Sequence, residues 1–180
     1  MSEGKYPFGD LYRESLWLSI FTPPNSQKPP MKHITLFLIT SFLSIHSQNL
    51  EAQSQMEKDN KIILDYIADN DLDAMNLGSG LFYVNEVTGT GKNPDPSSKV
   101  HVAYRGYFTN GKVFDESSEA GITFGLNQVI QGWTMGIPFF KEGGKGKLLI
   151  PSGLAYGNKA RPGIPANSVL IFDIHLIEVM

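Results

Sequence analysis

The C-terminal stretch alternates between apolar and polar side chains over the residues SVLIFDIHLIEVM. The apolar positions are Leu170, Phe172, Ile174 and Leu176. Asp173 and His175 fall on the opposite face, because successive side chains of a strand point to opposite sides of its sheet. The pattern predicts a β-strand with one apolar face, and it favours surface positions over a catalytic pair for Asp173 and His175.

A second strand with the same alternation is predicted for KVHVAYRGYF, where Val100, Val102 and Tyr104 form the apolar face. Asn110-Gly111, a dipeptide typical of tight hairpins, joins it to the strand KVFD. Two further strands are indicated by LFYVNEV and GKGKLLIP. One short helix is expected from Gly132 to Ile137, where Pro138 ends it. These elements predict an α+β fold, an antiparallel sheet with one short helix on a single face.

A longer helix is predicted to precede the strands. From residue 55 to 73 the apolar residues recur at helical spacing, with Ile63 and Ile67 on one face and Ile62 and Tyr66 beside them. Gly78 and Gly80 are expected to end this part of the chain, so residues 55–78 are assigned to an N-terminal helical segment. The remaining domain is predicted to span 79–180.

The residues before this helix resemble a targeting segment. A lysine precedes twelve mostly apolar residues, Ile34 to Ile45, and the small-x-small pattern Ala52-Gln53-Ser54 follows. This layout is typical of a secretory signal peptide, which we assign to 31–54; a buried helix is the alternative. Residues 1–30 have no lasting pattern and stay unassigned. Because a signal peptide belongs at a terminus, we expect translation to start at Met31.

Composition excludes several classes of function. The formal net charge of −3 predicts no strong attraction to nucleic acid, and the absence of cysteine excludes disulfides, thiol nucleophiles and cysteine-based zinc sites. Asp69, Asp71 and Asp73 begin like a calcium loop, but its sixth position is Ala74 instead of glycine. We therefore expect no metal site and no cofactor.

The candidate site is aromatic and aliphatic instead of ionisable. It centres on QVIQGW at 128–133, which contains one of the two tryptophans of the chain. Four stretches carry a resemblance in order and spacing: VHVAYRGYFTNGKVFDESS, FGLNQVIQGWTMGI, KLLIPSGLAYG and PGIPANSVLIFDIHLIEV. Residues 81–180 thereby resemble the FK506-binding-protein (FKBP) family of peptidyl-prolyl cis/trans isomerases. Within it, the chain is most similar to bacterial secreted and macrophage-infectivity-potentiator-like forms.

The resemblance implies an antiparallel sheet curled around one short helix, preceded here by the N-terminal helix, with a pocket between helix and sheet. It implies catalytic roles for Trp133 as the pocket floor, for Phe172, and for Asp115 and Tyr156 as polar contacts. It implies that substrate-binding walls are formed by Tyr104, Phe114, Phe124, Val129, Ile130 and Ile164. The Ile130 backbone N–H is expected to donate a hydrogen bond to the bound peptide.

The function implied is acceleration of X-Pro rotation in exported proteins, with periplasmic location in a bacterium. The alternative is a peptide-binding or chaperone module that uses the same pocket without turnover. Expected partners are proline-containing polypeptides, macrolide inhibitors of the FK506 class and, through the preceding helix, a second copy of the chain. Contact with a membrane is expected only during export.

The signal-peptide assignment predicts the N-terminus of the exported protein. Cleavage after the Ala52-Gln53-Ser54 pattern would leave Gln55 as the first residue. N-terminal sequencing of the protein recovered after export measures this, and a mature product that retains residues 1–30 would contradict the assignment.

Overall fold

The computed structural model describes residues 53–180, so the predicted signal segment up to residue 52 lies outside the described residues. Helix α1 occupies 53–69 and helix α2 Gln131–Gly136. Within this part of the chain the strands are β1 (Ala74–Gly78), β2 (Leu81–Val87), β3 (Lys99–Tyr107), β4 (Val113–Glu116), β5 (Ile122–Gly125), β6 (Lys145–Ile150) and β7 (Leu170–Val179). Neither helix of residues 53–180 has the length and apolar character needed to cross a membrane.

The strands form one antiparallel sheet in the order β1-β2-β6-β7-β3-β4. β5 lies off this path and pairs with the first half of β3, while β4 pairs with its second half. β7 is central, with β6 on one side and β3 on the other. This arrangement agrees with the predicted α+β class, and it puts residues from distant parts of the chain side by side on β3 and β7.

The inner face of the sheet carries the main core, and the predicted alternation accounts for it. Leu170, Phe172, Ile174 and Leu176 of β7 are all at most 5% exposed and belong to this core. Val100 and Val102 of β3 are fully buried beside them. The apolar and polar alternation therefore correctly predicts which face of each central strand is buried.

Helix α2 packs closely on the inner face because two of its residues have no side chain. Gly132 and Gly136 are four apart and so share one face of the helix. A Cβ at Gly132 would lie 2.4 Å from Ile150 Cγ2, and one at Gly136 would lie 2.6 Å from Leu148 Cδ2. After Gly136 the chain continues as a 3-10 turn, Ile137–Phe139, which contains Pro138. The proline thus ends the α-helix close to where it was predicted to end.

Helix α1 packs on the opposite, outer face of the sheet, which the sequence analysis had left without a cover. Its Ile63 is fully buried in a second core with Phe82, Val84, Tyr107, Leu149, Val169 and Ile171. These sheet residues alternate with those of the inner face. Both sides of the central strands are therefore covered, by α2 on the inner side and α1 on the outer side.

The predicted helical segment 55–78 needs a correction at both ends. The helix ends at residue 69, and Ala74–Gly78 is a strand that pairs with β2. The glycines interpreted as helix terminators shape the hairpin between these strands, where Ser79 and Gly80 have φ of 52° and 76°. A boundary at residue 79 would divide this hairpin. At the other end, residues 53 and 54, assigned to the signal segment, are already helical.

Packing of α1 predicts a stability difference between two neighbouring residues. Ile63→Ala should lower the free energy of unfolding by about 2–5 kcal/mol, since it leaves a cavity between helix and sheet. Leu64→Ala, at a side chain that is 46% exposed, is the control and should cost under about 1 kcal/mol. Urea denaturation measures both, and equal losses for the two variants would contradict the buried role of Ile63.

Candidate active site

Two rings form the floor of the candidate site. Trp133 extends from the first turn of α2 and Phe172 from the inner face of β7, and each is 5% exposed. Their ring centroids are 5.1 Å apart and the planes are nearly perpendicular, at 84°. Such edge-to-face contacts are favourable for aromatic pairs and hold each ring in one orientation. The floor is thereby made by one helix and one strand that pack directly on each other.

Three half-buried aromatic side chains stand around this floor. Tyr104 of β3 meets Trp133 edge-to-face at 5.0 Å, and Phe124 of β5 lies 5.2 Å from the same ring. Phe114 of β4 meets Phe172 at 5.6 Å, again edge-to-face. Their partial exposure distinguishes them from the floor, because part of each ring still faces solvent. These three residues are therefore not fully enclosed within the core.

The aliphatic residues and Tyr156 complete the same cluster. Val129, Ile130 and Tyr156 are half-buried against it, and Ile164 is buried at 8% exposure. Ile130 precedes α2, where its carbonyl accepts hydrogen bonds from the N–H groups of Trp133 and Thr134 at 2.9 and 3.2 Å. The Ile130 N–H donates to no residue that the structure describes. This N–H is therefore a candidate contact for a bound peptide backbone.

A short turn holds Ile164 and borders Tyr156. Arg161 and Ile164 exchange two backbone hydrogen bonds of 2.9 Å across Pro162-Gly163. The Arg161 guanidinium lies 5.6 Å from the centroid of the Tyr156 ring, within the range of a cation–π contact. Tyr156 is consequently packed between the apolar cluster and a positive charge.

The polar part of the site lies at its rim. The Tyr104 hydroxyl donates a hydrogen bond of 2.7 Å to Asp115 Oδ2, and the Asp115 side chain is exposed. Burial, and then the neighbouring Asp115 carboxylate, raise the pKa of the Tyr104 hydroxyl well above its usual value, so it stays protonated as a donor. Ser117 fixes the Tyr104 backbone, since its hydroxyl accepts from the Tyr104 N–H at 2.9 Å.

The arrangement of the rings depends on a glycine. Gly106 of β3 lies opposite Phe172 of β7 and next to Asp115 of β4 in the sheet. A Cβ at this position would come within 2.7 Å of Phe114 Cζ and 2.8 Å of Phe172 Cε1. Any larger residue would push these rings apart, so Gly106 provides the space in which Phe114 and Phe172 meet.

One aromatic residue of the site was missed by the sequence analysis. Phe108 is half-buried and its ring lies 5.1 Å from that of Phe114. It lies two residues beyond Gly106 on the same face as Tyr104, so the alternation along β3 held the signal. Leu154 and Ala155, just before Tyr156, pack against the same cluster.

The floor also has an unused polar group. The Trp133 indole Nε1 is buried and has no hydrogen-bond partner among the described residues. Most buried donors in proteins are paired, so an unpaired one is uncommon. The indole N–H is the one polar group of the two floor rings, which are otherwise made of carbon.

Of the two residues set aside on the outer face, Asp173 has structural partners. Asp173 accepts hydrogen bonds from the Tyr107 hydroxyl at 2.9 Å and from Lys147 Nζ at 2.6 Å. Burial, and then the Lys145 charge, lower the pKa of His175. Across residues 53–180, no three His, Asp or Glu side chains gather in a way that could hold a metal ion.

All ten predicted site residues thus come together: nine in the apolar cluster, and Asp115 through its bond to Tyr104. Comparisons with known proteins bear on the family and the fold. The sequence profile described as FKBP-type peptidyl-prolyl cis-trans isomerase matches residues 90–177. The chain is 48% identical over 105 residues to FK506-binding protein 4 of Dictyostelium discoideum, covering 57% of this chain and 29% of the relative. It is 47% identical over 103 residues to FkpA of Escherichia coli K12, covering 56% and 38%.

The chain spans under half the length of these curated relatives, 29% of the first and 38% of the second. Among solved structures, it resembles the crystal structure of FkpA from Escherichia coli with a TM-score of 0.61 and 36% identity, covering 84% of this chain and 74% of that one. This likeness confirms the predicted fold class. On the matched profile, these relatives and the shared fold, the chain belongs to the family of FKBP-type peptidyl-prolyl cis-trans isomerases.

Proposed function

We propose that this chain accelerates rotation about X-Pro peptide bonds by holding the prolyl amide against the aromatic floor of Trp133 and Phe172. One observation carries the proposal. The two floor rings are buried, while the rings around them are partly exposed, which supports a site where an apolar ligand could contact them. A proline ring is flat enough to lie on such a surface and apolar enough to prefer it to water.

The reaction needs no bond to be broken. Rotation about a peptide bond meets a barrier of about 18–20 kcal/mol, because twisting removes the amide resonance. For X-Pro bonds the two isomers differ by only about 0.5–1 kcal/mol, and exchange takes tens to hundreds of seconds. A catalyst therefore needs only to bind the twisted amide better than the planar one.

An apolar surface supplies this preference. The twisted amide has lost part of its C–N double-bond character and carries less charge on its carbonyl oxygen. It is thus less polar than the planar amide, and moving it out of water costs less. Each factor of ten in rate needs a preference of about 1.4 kcal/mol.

The residues divide into two groups in this mechanism. Trp133 and Phe172 form the surface on which the proline ring lies, and the walls are formed by Tyr104, Phe114, Phe124, Val129, Ile130 and Ile164. Asp115 and the Tyr156 hydroxyl contact the amide at the rim and hold its carbonyl away from the planar orientation. The Ile130 N–H binds the peptide backbone, and its lack of a partner within the described residues supports this role.

The substrates we propose are proline-containing polypeptides of exported proteins, in the periplasm of a bacterium. The basis is the signal-peptide pattern of residues 31–54, which lies outside the described residues except at its end. Macrolides of the FK506 class would compete for the same surface; the Dictyostelium relative is named FK506-binding protein 4. We further propose that the catalytic domain begins with α1 and runs to residue 180, since α1 and β1 both pack into it.

The alternative is a binding module that holds proline-containing segments without turnover. A homodimer built through the preceding helix finds less support, because α1 already buries Ile63 against its own sheet. The two functions differ in one measurable quantity, the rate of isomerisation at saturating protein.

Activity toward a short X-Pro peptide tests the proposal. The wild-type protein should raise the isomerisation rate clearly above the uncatalysed rate. Asp115→Ala should lower kcat/KM roughly tenfold, about 1.4 kcal/mol, since it removes a charged group at the rim. Tyr156→Phe keeps the ring and loses the hydroxyl, so we expect a loss of about 3–10-fold. A protease-coupled or NMR exchange assay measures these rates.

Asp115→Asn is the matched control. It keeps an acceptor for the Tyr104 hydroxyl but removes the charge, and its rate should lie between those of the wild type and Asp115→Ala. A folded wild-type protein that binds the peptide but leaves its exchange rate unchanged would refute the isomerase and support the binding module.

A further inference from the structure

A carboxylate on α1 is buried beneath the loop that carries Tyr156. Asp59 is 1% exposed, and its Oδ2 accepts hydrogen bonds from the Ser152 N–H at 2.8 Å and the Ser152 hydroxyl at 2.5 Å. Its Oδ1 accepts from Gln55 Nε2 at 2.7 Å. Ser152 is 2% exposed and is the second residue after β6. The bond therefore joins the first half of α1 to the start of the Tyr156 loop.

Docking of the helix alone does not account for this residue. Among the described residues, no lysine, arginine or histidine nitrogen lies within ion-pair distance of Asp59. An unpaired carboxylate removed from water is costly, whereas an apolar residue such as Ile63 attaches α1 to the sheet without that cost. The three hydrogen bonds compensate for the burial, and two of them hold one residue, Ser152, in a fixed orientation.

The orientation of Ser152 determines the turn that follows it. Its carbonyl accepts hydrogen bonds from the Ala155 N–H at 3.0 Å and the Gly157 N–H at 2.8 Å. Tyr156 lies between these two donors. All the hydrogen-bonding groups of Ser152 are thus engaged, its two donors by Asp59 and its carbonyl by the turn. The Asp59 carboxylate and the Tyr156 backbone are connected through a single residue.

We propose that Asp59 is a positioning residue for the isomerase, which sets the place of Tyr156 at the rim of the site by holding Ser152. This inference rests on the proposed function. The Tyr156 hydroxyl acts on the twisted amide only if it lies within a few tenths of an ångström of its productive position. A displacement of about 1 Å far from the reacting atoms can reduce rates by up to about a hundredfold. Helix α1 thereby contributes to catalysis without touching the substrate.

The test compares variants of Asp59 with one elsewhere on α1. Asp59→Ala leaves two buried donors of Ser152 without a partner and should lower kcat/KM roughly tenfold. Asp59→Asn keeps an oxygen for Ser152 and turns its amide toward Gln55, whose own amide can reverse to accept, so kcat/KM should stay within about twofold. Ile63→Ala loosens the same helix away from Ser152 and should leave kcat/KM unchanged in the folded protein. Each assay is run well below the unfolding midpoint.

A double-mutant cycle separates positioning from general loosening. If Asp59 acts through Tyr156, then in a Tyr156→Ala background Asp59→Ala should change kcat/KM by less than about twofold. Its effect on the free energy of unfolding should remain. A full tenfold loss in that background would overturn the proposal, as would equal losses of kcat/KM for Asp59→Ala and Ile63→Ala. Should Asp59→Ala fail to fold, Ser152→Ala replaces it and should lower kcat/KM about threefold, since one of two bonds is lost.

A measurement that needs no activity tests the structural link. Amide hydrogen exchange of the Ala155 and Gly157 N–H groups should speed up about tenfold or more in Asp59→Ala and stay near wild type in Ile63→Ala. Unchanged exchange at both groups would refute the inference. An inactive wild type with the expected exchange pattern would instead refute the proposed function and leave the link between Asp59 and the loop standing.

Discussion

The close approach of α2 to the inner face of the sheet is the constraint on which the candidate site depends. Gly132 and Gly136 lie against Ile150 and Leu148 at distances that leave no room for a Cβ. Trp133 is on the same short helix, so the approach that the glycines permit also brings its indole onto Phe172. A helix held farther away by larger residues would leave a gap beneath the indole, and protein interiors rarely tolerate such gaps.

The outer face imposes a second requirement, which α1 meets. A sheet with β7 at its centre has apolar residues on both sides, and one short helix can cover only one of them. Ile63 and the residues around it close the other side. The same helix brings Asp59 to Ser152, so covering the sheet and fixing the Tyr156 loop are achieved by one element. Loss of α1 would therefore affect both the stability of the sheet and the rim of the site.

Much of this fold was predictable from alternation, and the reasons for the failures are physical. β3 and β7 are long enough for a period of two to be evident, so Tyr104 and Phe172 were correctly expected to point inward. The strands β1 and β5 were not predicted. They span only five and four residues, and their conformation depends on pairing with a neighbouring strand. The helical periodicity of α1 indicated an apolar face but not the surface that it covers. The bond between Asp59 and Ser152 joins residues 93 positions apart, and no local pattern announces it.

The site residues were predictable to a different degree. Alternation alone says that a ring points inward, and a buried ring is more often core than binding surface. The set of ten came from the resemblance, whose spacing identifies positions on four strands, a helix and two loops at once. Phe108 was missed because no quoted motif singles it out, although it follows Tyr104 at the spacing of a strand face. Gly106 was missed because the clash that excludes a side chain exists only when Phe114 and Phe172 are both in place.

Polar groups lie at the rim of the site and apolar rings form its floor, which is the arrangement that the proposed catalysis requires. An ionised carboxylate on the floor would lose several kcal/mol of hydration, and it would interact best with the more polar, planar amide. Asp115 lies instead at the exposed rim, where water limits that cost, and Tyr104 donates to it. The floor beneath keeps only rings and one unpaired indole N–H. In the proposed mechanism, preference for the twisted amide follows from the contrast between a polar rim and an apolar floor, more than from the strength of any single contact.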